Sequence, residues 1–521
     1  QDLGVMNVVA TSPLGGGIDA DKLPTNVQTV NAEQLEKAQT ISLSDYINRY
    51  LGSAHVNEAQ NNPLQPDIHY RGFVASPLMG LPQGLSTYVN GVRFNEPFGD
   101  TVNWDLIPQG AIESMAMYSS NPVYGLNSLG GAIAIKTKTG FSSPKHQIEV
   151  YGGSFDRHSE ELTSGWNNGT WGYFVDLHHF EEVGWRNFSP SNANQGFGTL
   201  SWRGDKGSLD LTLGANDNDL RGNGPAPLEL LKKEGRSTIF TQYDQTVTRM
   251  FFSELSGSYD ISDNVQMSGN TYFRQNRMRT FNGDNSDYEA CSDSAFLCGD
   301  GSPVIDTNGN PVVFSDSVDG ATRNTNAMQM RSKGGTFQTA FKGDLFKHEN
   351  NLTVGTSYDN SQTHFASNSE LGSLTANRGT VGSQISIDES KVRLHANTET
   401  VGVFLSDTFS ITEKLAATVA GRYNHINVEL KDQYINDDEN NLNGNHNFER
   451  LNPSAGLTYQ LLPSVNVYGN YAESARAPTP MELSCADPQA PCKLPNSFLS
   501  DPPLNQVVAK TCETGFRGQL N

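Results

Sequence analysis

From about residue 145 onward the chain alternates apolar and polar side chains with a period of two, a pattern that serves a sheet and not a helix. Segments such as "TWGYFVDLHHF", "GSLDLTLGAND", "NLTVGTSYDN", "KLAATVAGRYNHI" and "SVNVYGNYAES" carry it, and in "GSLDLTLG" Leu209, Leu211 and Leu213 share one face while Asp210 and Thr212 share the other. A soluble sandwich obeys the same local rule, so the connectors decide. Short ones ("NNGT", "GDKG", "DISDN", "KHEN", "TEK", "LLPS") alternate with long polar ones near 220–244, 281–330, 366–396, 431–447 and 476–506. A sandwich has no reason to keep its long loops at one end, whereas a transmembrane β-barrel has short turns on one side and long loops on the other. About fourteen such strands are expected before Asn521, with no terminal aromatic strand to close the barrel, so further strands are expected to follow.

No window approaches the roughly 18 consecutive apolar residues of a membrane helix, so a membrane role falls to strands. The 57 acidic against 36 basic residues give a formal charge of −21, which argues against nucleic acid as a partner. The first residues hold no basic and apolar leader, as expected of a chain already stripped of its signal. Four of the five cysteines form two pairs of equal spacing, Cys291 with Cys298 and Cys485 with Cys492, inside polar segments without a second ligand pair for zinc. Two local disulfides in an oxidising compartment are expected, with Cys512 left over.

Residues 17–142 follow a different grammar, that of a mixed α/β unit. "TNVQTV" reads as a strand. In "NAEQLEKAQTISLSDYINRY", Asn31 is placed to cap one helix and Ser42 or Ser44 a second that turns Leu43, Tyr46 and Ile47 inward. "IHYRGF", "LSTYVNGVRF", "IESMAMYS" and "GAIAIKTK" read as short strands between Gly and Pro loops.

These stretches, in this order, resemble the TonB-dependent outer-membrane transporters: "SLSDYINRYLG", "IHYRGF", "STYVNGVRFNEPFGDTVNWDLIP", "IESMAMYSSNPVYGLNSLGGAIAIKTK", then "LNPSAGLTYQL", "YAESARAPTPMEL" and "ETGFRG". The resemblance spans the chain. It implies a mostly β protein of the bacterial outer membrane, with a plug (17–142) inside an antiparallel barrel (143–521), 22 strands in the full family fold. "VMNVVATSP", within the N-terminal segment 1–16, resembles the family's TonB box, so Val5, Met6, Asn7, Val8, Val9 and Ala10 are expected to pair by strand addition with TonB, whose inner-membrane complex supplies energy. With only Gln1–Gly4 ahead of it, the family's signalling domain is not expected, and transport alone is implied.

Family plugs carry an Arg after "IE" and an "RGP" before "YG"; here Glu113-Ser114 and Ser119–Pro122 stand instead. Of the arginines that pair with barrel glutamates, Arg71 remains. Glu513 is its expected partner if Cys512, Thr514 and Phe516 face outward, with Glu473 the second candidate.

Cargo is expected at the plug loops Asn57–Asp67, Ala75–Gln83 and Asn95–Trp104, where Gln65, Gln83, Phe98 and Trp104 are the candidates, joined by His69 and Met79; His55 lies nearby. No metal-ligand spacing is present, and no cofactor is required. Asp306, Asn308 and Asn310, and Asp437, Asp438 and Glu439, hint at calcium but lack the distal bidentate Glu of a calcium loop. No catalytic constellation stands out, so an enzyme is not expected. Energy-coupled import of a scarce nutrient leads, an iron-siderophore chelate being the family's commonest cargo. A cobalamin-like cofactor, a glycan or a peptide are alternative cargoes, and a passive pore or a surface adhesin are rival functions.

Overall fold

The computed structural model describes residues 8–435, 441–485 and 504–518. Its wall is a fifteen-stranded antiparallel sheet in which strands follow one another in chain order. They are β1 (His146–Gly153), β2 (Arg157–Asn167), β3 (Trp171–Glu182), β4 (Ser191–Arg203), β5 (Gly207–Arg221), β6 (Asp244–Ser262) and β7 (Val265–Asn285). The order continues through β8 (Gly320–Leu345), β9 (His348–Leu374), β10 (Val392–Ser410), β11 (Leu415–Asp432), β12 (Gly444–Leu462), β13 (Val465–Arg476) and β14 (Val507–Gly518). The remaining strand, Thr380–Ser386, pairs only with β9. Among the described residues β1 and β14 do not pair with each other, so the wall is a curved, unclosed barrel sheet.

Alternation sorts the two faces. Leu209, Leu211, Leu213, Leu255, Phe337 and Val403 lie exposed on the outer face. Polar residues such as Thr212, Asn218, Arg274 and Asn276 are buried on the inner one. Exposed leucines are expensive in water and cheap in lipid, so the outer face is a membrane surface. Strands β1–β14 run from 8 to 27 residues, most of them longer than the apolar alternation alone marks out. Above the lipid band the backbone ladder still satisfies every N–H and C=O, so pairing continues where alternation has no reason to. The 286–319 connector also folds. It contains a three-stranded sheet (Glu289–Ala290, Leu297–Gly299, Ser302–Pro303), a core of Leu297, Val304, Val312 and Val318, and the Cys291–Cys298 disulfide. Cys485 is disulfide-bonded, but its expected partner Cys492 lies outside the described residues. Cys512 is a free, exposed thiol.

The N-terminal unit packs on the inner face. A five-stranded sheet orders Val27–Asn31, Ile112–Tyr118, Gly131–Thr137, Leu85–Val89 and Val92–Arg93, and a three-stranded one joins Ala54–Asn57, Asp67–Tyr70 and Phe73–Ala75. Helix α1 (Ala32–Ala38) opens with a full capping box between Asn31 and Gln34. Helix α2 (Leu43–Tyr50) is capped by Ser42, whose hydroxyl accepts from the Asp45 N–H at 3.2 Å, and it buries Leu43, Tyr46 and Ile47. "IHYRGF" and "LSTYVNGVRF" each resolve into a hairpin rather than one strand. Their turns place Arg71 and Gly72 at φ 53° and 88°, and Asn90 and Gly91 at φ 51° and 84°, the left-handed pair that tight hairpins demand.

Candidate functional site: the plug against the wall

Arg71 sits at the tip of its hairpin, and the left-handed turn aims it at the wall. Its guanidinium meets Glu513 of β14 at 2.9 Å. Three more donors converge on the same carboxylate: the Asn26 N–H (2.8 Å), the Ser119 hydroxyl (2.6 Å) and the Tyr468 hydroxyl (3.2 Å). Ser119, the first residue of the departing "SSNP", thus supplies a neutral donor to the carboxylate. Glu473 is not part of this contact. It lies on the opposite face of the neighbouring strand, bound to Arg450 (2.7 Å), Tyr471 (2.7 Å) and Lys510 (3.7 Å), because the period of two puts positions of Val465 parity outside.

Further plug–wall contacts carry no sequence signature. Glu96 of the plug and Arg274 of β7 form a fully buried pair at 3.3 Å, side chains 1% and 3% exposed. Arg274 also donates to the carbonyls of Phe94 (2.8 Å) and Asn95 (3.2 Å), and Asn276 donates to Glu96 (2.8 Å). Arg422 of β11 threads between Gly125 of the plug and Gly402 of β10, donating to Asn424 (2.7 Å), Ser357 (2.6 Å) and the Val123 carbonyl (3.4 Å). A Cβ on Gly125 would lie 2.1 Å from its Cδ, so the glycine is what admits the arginine. Asp105 docks a plug turn on β5 through Asn218 (2.8 Å), and burial pushes its carboxyl up to about 6. Near the short-turn end, Arg517 donates to the carbonyls of Leu23 (3.2 Å) and Thr25 (2.6 Å), and Lys22 pairs with Glu349.

The candidate cargo residues separate into two groups. Phe98 and Met79 meet at the plug apex, where Phe98 stacks on Phe365 with ring centroids 4.7 Å apart. Around them the wall contributes Met278, Met328 and Met330, and the 477–485 segment comes down from the outer end with Met481, whose N–H bonds the Phe98 carbonyl at 3.1 Å. The others serve the fold. Gln83 accepts from the Ser76 N–H (2.8 Å), and Trp104 is buried in the plug core with its indole N–H toward the Ala75 carbonyl (3.4 Å). Gln65 is buried beside Gly222 of the wall, while His69 stacks on His55 at 4.9 Å in the three-stranded sheet. The cavity between apex and wall is about 80 Å³, lined by Asp100, Asn127, Tyr272, Asp359 and Pro478 among others, well under the roughly 300–1,000 Å³ of small-molecule sites. A larger recess of about 510 Å³ includes Val247, Arg279, Phe281 and Arg393 and touches no plug residue.

Of the calcium candidates, Asp306 accepts from the backbone N–H groups of Asn308 and Asn310, both at 2.9 Å, as an Asx turn does. Asp437, Asp438 and Glu439 lie outside the described residues. Of the TonB-box candidates, Val5, Met6 and Asn7 also lie outside them. Val8 and Val9 are not an unpaired strand: they pair with Asp19 and Ile18, and Val9 is buried with Ile18, Leu23, Tyr118 and Tyr124. The segment thus finds its strand partner about ten residues on in its own sequence, and the folded plug supplies Tyr118 and Tyr124 to bury it.

An α/β unit held inside a large, lipid-facing antiparallel wall defines a plugged outer-membrane β-barrel. A family model described as "TonB dependent receptor-like, beta-barrel" matches residues 184–521, and "TonB-dependent Receptor Plug Domain" matches 19–132. The chain belongs to the TonB-dependent receptor family, whose members are outer-membrane transporters and receptors, not enzymes. Among solved structures it is similar to the unliganded ferric citrate transporter FecA (TM-score 0.73, 14% identity, covering 96% of this chain and 68% of that one). It is also similar to BauA, the ferric preacinetobactin receptor of Acinetobacter baumannii (0.70, 13%, 98% and 71%). The ferric yersiniabactin uptake receptor FyuA of Yersinia pestis gives 0.67 at 14%, covering 95% and 70%. At such identities the likeness is one of fold.

Proposed function

We propose that this protein imports a ferric chelate across the bacterial outer membrane, with TonB engaging the Val5–Ala10 segment from the periplasm. The observation that carries the reading is the seated plug. Its apex, Met79 and Phe98, faces Met278, Met328, Met330 and Phe365 beneath the long connectors, while its other end is tied near the short turns. A plug so placed blocks passive flow, which disfavours a pore. The apex suits a ligand with an aromatic or otherwise apolar face, since thioethers are adaptable and pack well on rings. The similar structures are those of ferric-chelate transporters or receptors, which supports a chelate cargo here. Filling the apex requires the 477–485 segment to lift, because the present cavity is too small for a chelate.

Uptake of labelled ferric chelates by cells expressing the protein, with and without a proton-motive uncoupler, tests this. Import abolished by the uncoupler while surface binding persists is the expected result. Uncoupler-insensitive passage would mean a pore, and binding without uptake an adhesin. Uptake of a cobalamin-like, glycan or peptide cargo in place of iron would keep the mechanism and change the substrate.

A further inference from the structure

On the outer face of the wall, just above the lipid-facing pair Leu162 and Leu177, four side chains form a checkerboard. His158 stands opposite Glu181, and Glu160 opposite His179. The Nε2 atoms of both histidines approach one carboxylate oxygen of Glu181, at 3.5 Å and 3.9 Å. One donor atom from each of the three residues lies within 4.8 Å of the others. Ligand atoms around a tetrahedral zinc with bonds of about 2.0–2.1 Å stand about 3.3 Å apart, so the two histidine–carboxylate distances need to close by a few tenths of an ångström and the histidine–histidine distance by no more than about 1.5 Å.

The far sides of the rings supply the second argument. Nδ1 of His158 lies 3.2 Å from the Asp156 carbonyl, and Nδ1 of His179 lies 2.8 Å from the side-chain oxygen of Asn194. The Asn194 amide is oriented by its own NH2, which donates to Asn192 at 2.7 Å. Carbonyl oxygens only accept, so each Nδ1 carries a hydrogen, and Nε2, on the side toward Glu181, is the ring atom left for a metal to take. A carbonyl behind each imidazole is the outer-shell arrangement that fixes a metal-binding tautomer.

We propose that His158, His179 and Glu181 bind one divalent transition-metal ion of the zinc class at the outer surface. Water, or Glu160, completes the shell. The mixed imidazole and carboxylate set favours a borderline metal over calcium or magnesium, which prefer all-oxygen ligands. The ion would bridge β2 and β3 on the face away from the plug, so the site stands or falls independently of cargo import.

Zn2+ titration of the purified chain in detergent against a chelating dye, with Co2+ as a visible-absorbing substitute, tests the site. One saturable site per chain and a tetrahedral Co2+ spectrum are expected. His158→Ala and His179→Ala should each weaken binding by at least about tenfold, and Glu181→Gln by less. His364→Ala, in the exposed His364–His395 pair elsewhere on the wall, should leave it unchanged. All three side chains of the site are a third to a half exposed, so the variants keep the fold, which circular dichroism verifies. A His158→Ala/His179→Ala double variant that binds Zn2+ as the parent does would overturn the assignment. So would a parent that shows no saturable binding at millimolar Zn2+, which would leave the cluster as ordinary histidine–carboxylate pairs.

Discussion

Glu513 gathers four donors from four parts of the chain, and only one of them is charged. Removing Arg71 therefore weakens the carboxylate's surroundings without emptying them. With Arg71 one third exposed, the loss should stay below about 3 kcal/mol. Charge reversal is harsher, since it sets a second carboxylate against the first. Arg71→Glu should loosen the plug and admit large antibiotics, and adding Glu513→Arg should restore part of the exclusion, read as growth on those antibiotics. Asp105 gives a pH signature. Its folded value of about 6 lies above the ordinary 3.8, so protonation favours the docked turn. Stability should rise as pH falls through about 6 towards 4, and the penalty is fully present above about 6. Protease protection of the plug across that range should show the trend, and Asp105→Asn should flatten it. Arg71 and Glu513 could be found from sequence because the family resemblance points to a plug arginine paired with a barrel glutamate, and Glu513 sits on a strand whose parity is readable. Glu96 and Arg274 could not, as a loop acid and a strand arginine become partners only once the wall is folded around the plug.

The strand built from Val8 and Val9 was legible as a strand, yet its pairing was not, because the partner Ile18–Asp19 is itself only two residues long and lacks alternation. The same limit explains the wall strands, whose apolar halves announce themselves and whose upper halves do not. It also explains Gln83 and Trp104, candidates by residue type that the plug's own turns consume. If TonB takes the N-terminal segment by strand addition, backbone N–H groups carry the contact. Val8→Pro or Val9→Pro should then abolish import while chelate binding at the surface persists, whereas Met6→Ala or Asn7→Ala, which keep the N–H, should cost less. Import at the parental rate by both proline variants would remove the segment from the coupling path.

Seating of plug in wall is a property of the whole molecule, and Gly125 is where it is least forgiving. The two surfaces meet there at a separation that leaves no room for a methyl group, with a buried guanidinium between them. Gly125→Ala should lower the thermal midpoint and raise antibiotic entry, and Arg422→Ala in the same chain should relieve part of the defect, because the two changes act on one contact. The barrel was readable from connector lengths and alternation, and the plug inside it from the family resemblance. The inner contacts other than Arg71–Glu513 were not, because they join segments more than a hundred residues apart and no family pattern marks them. The N-terminal attachments also differ in how they would bear a load. Val8–Val9 and Ile18–Asp19 form a short hairpin closed by the Ser12–Gly15 turn, so tension on the first residues would peel its bonds one after another. Beyond it, Arg517 grips the carbonyls of Leu23 and Thr25 and Glu513 grips Asn26, Arg71 and Ser119, bonds that would be stretched together. A weak pull would thus unzip the N-terminal hairpin and stop, and only a sustained one would reach the clamp that holds the plug.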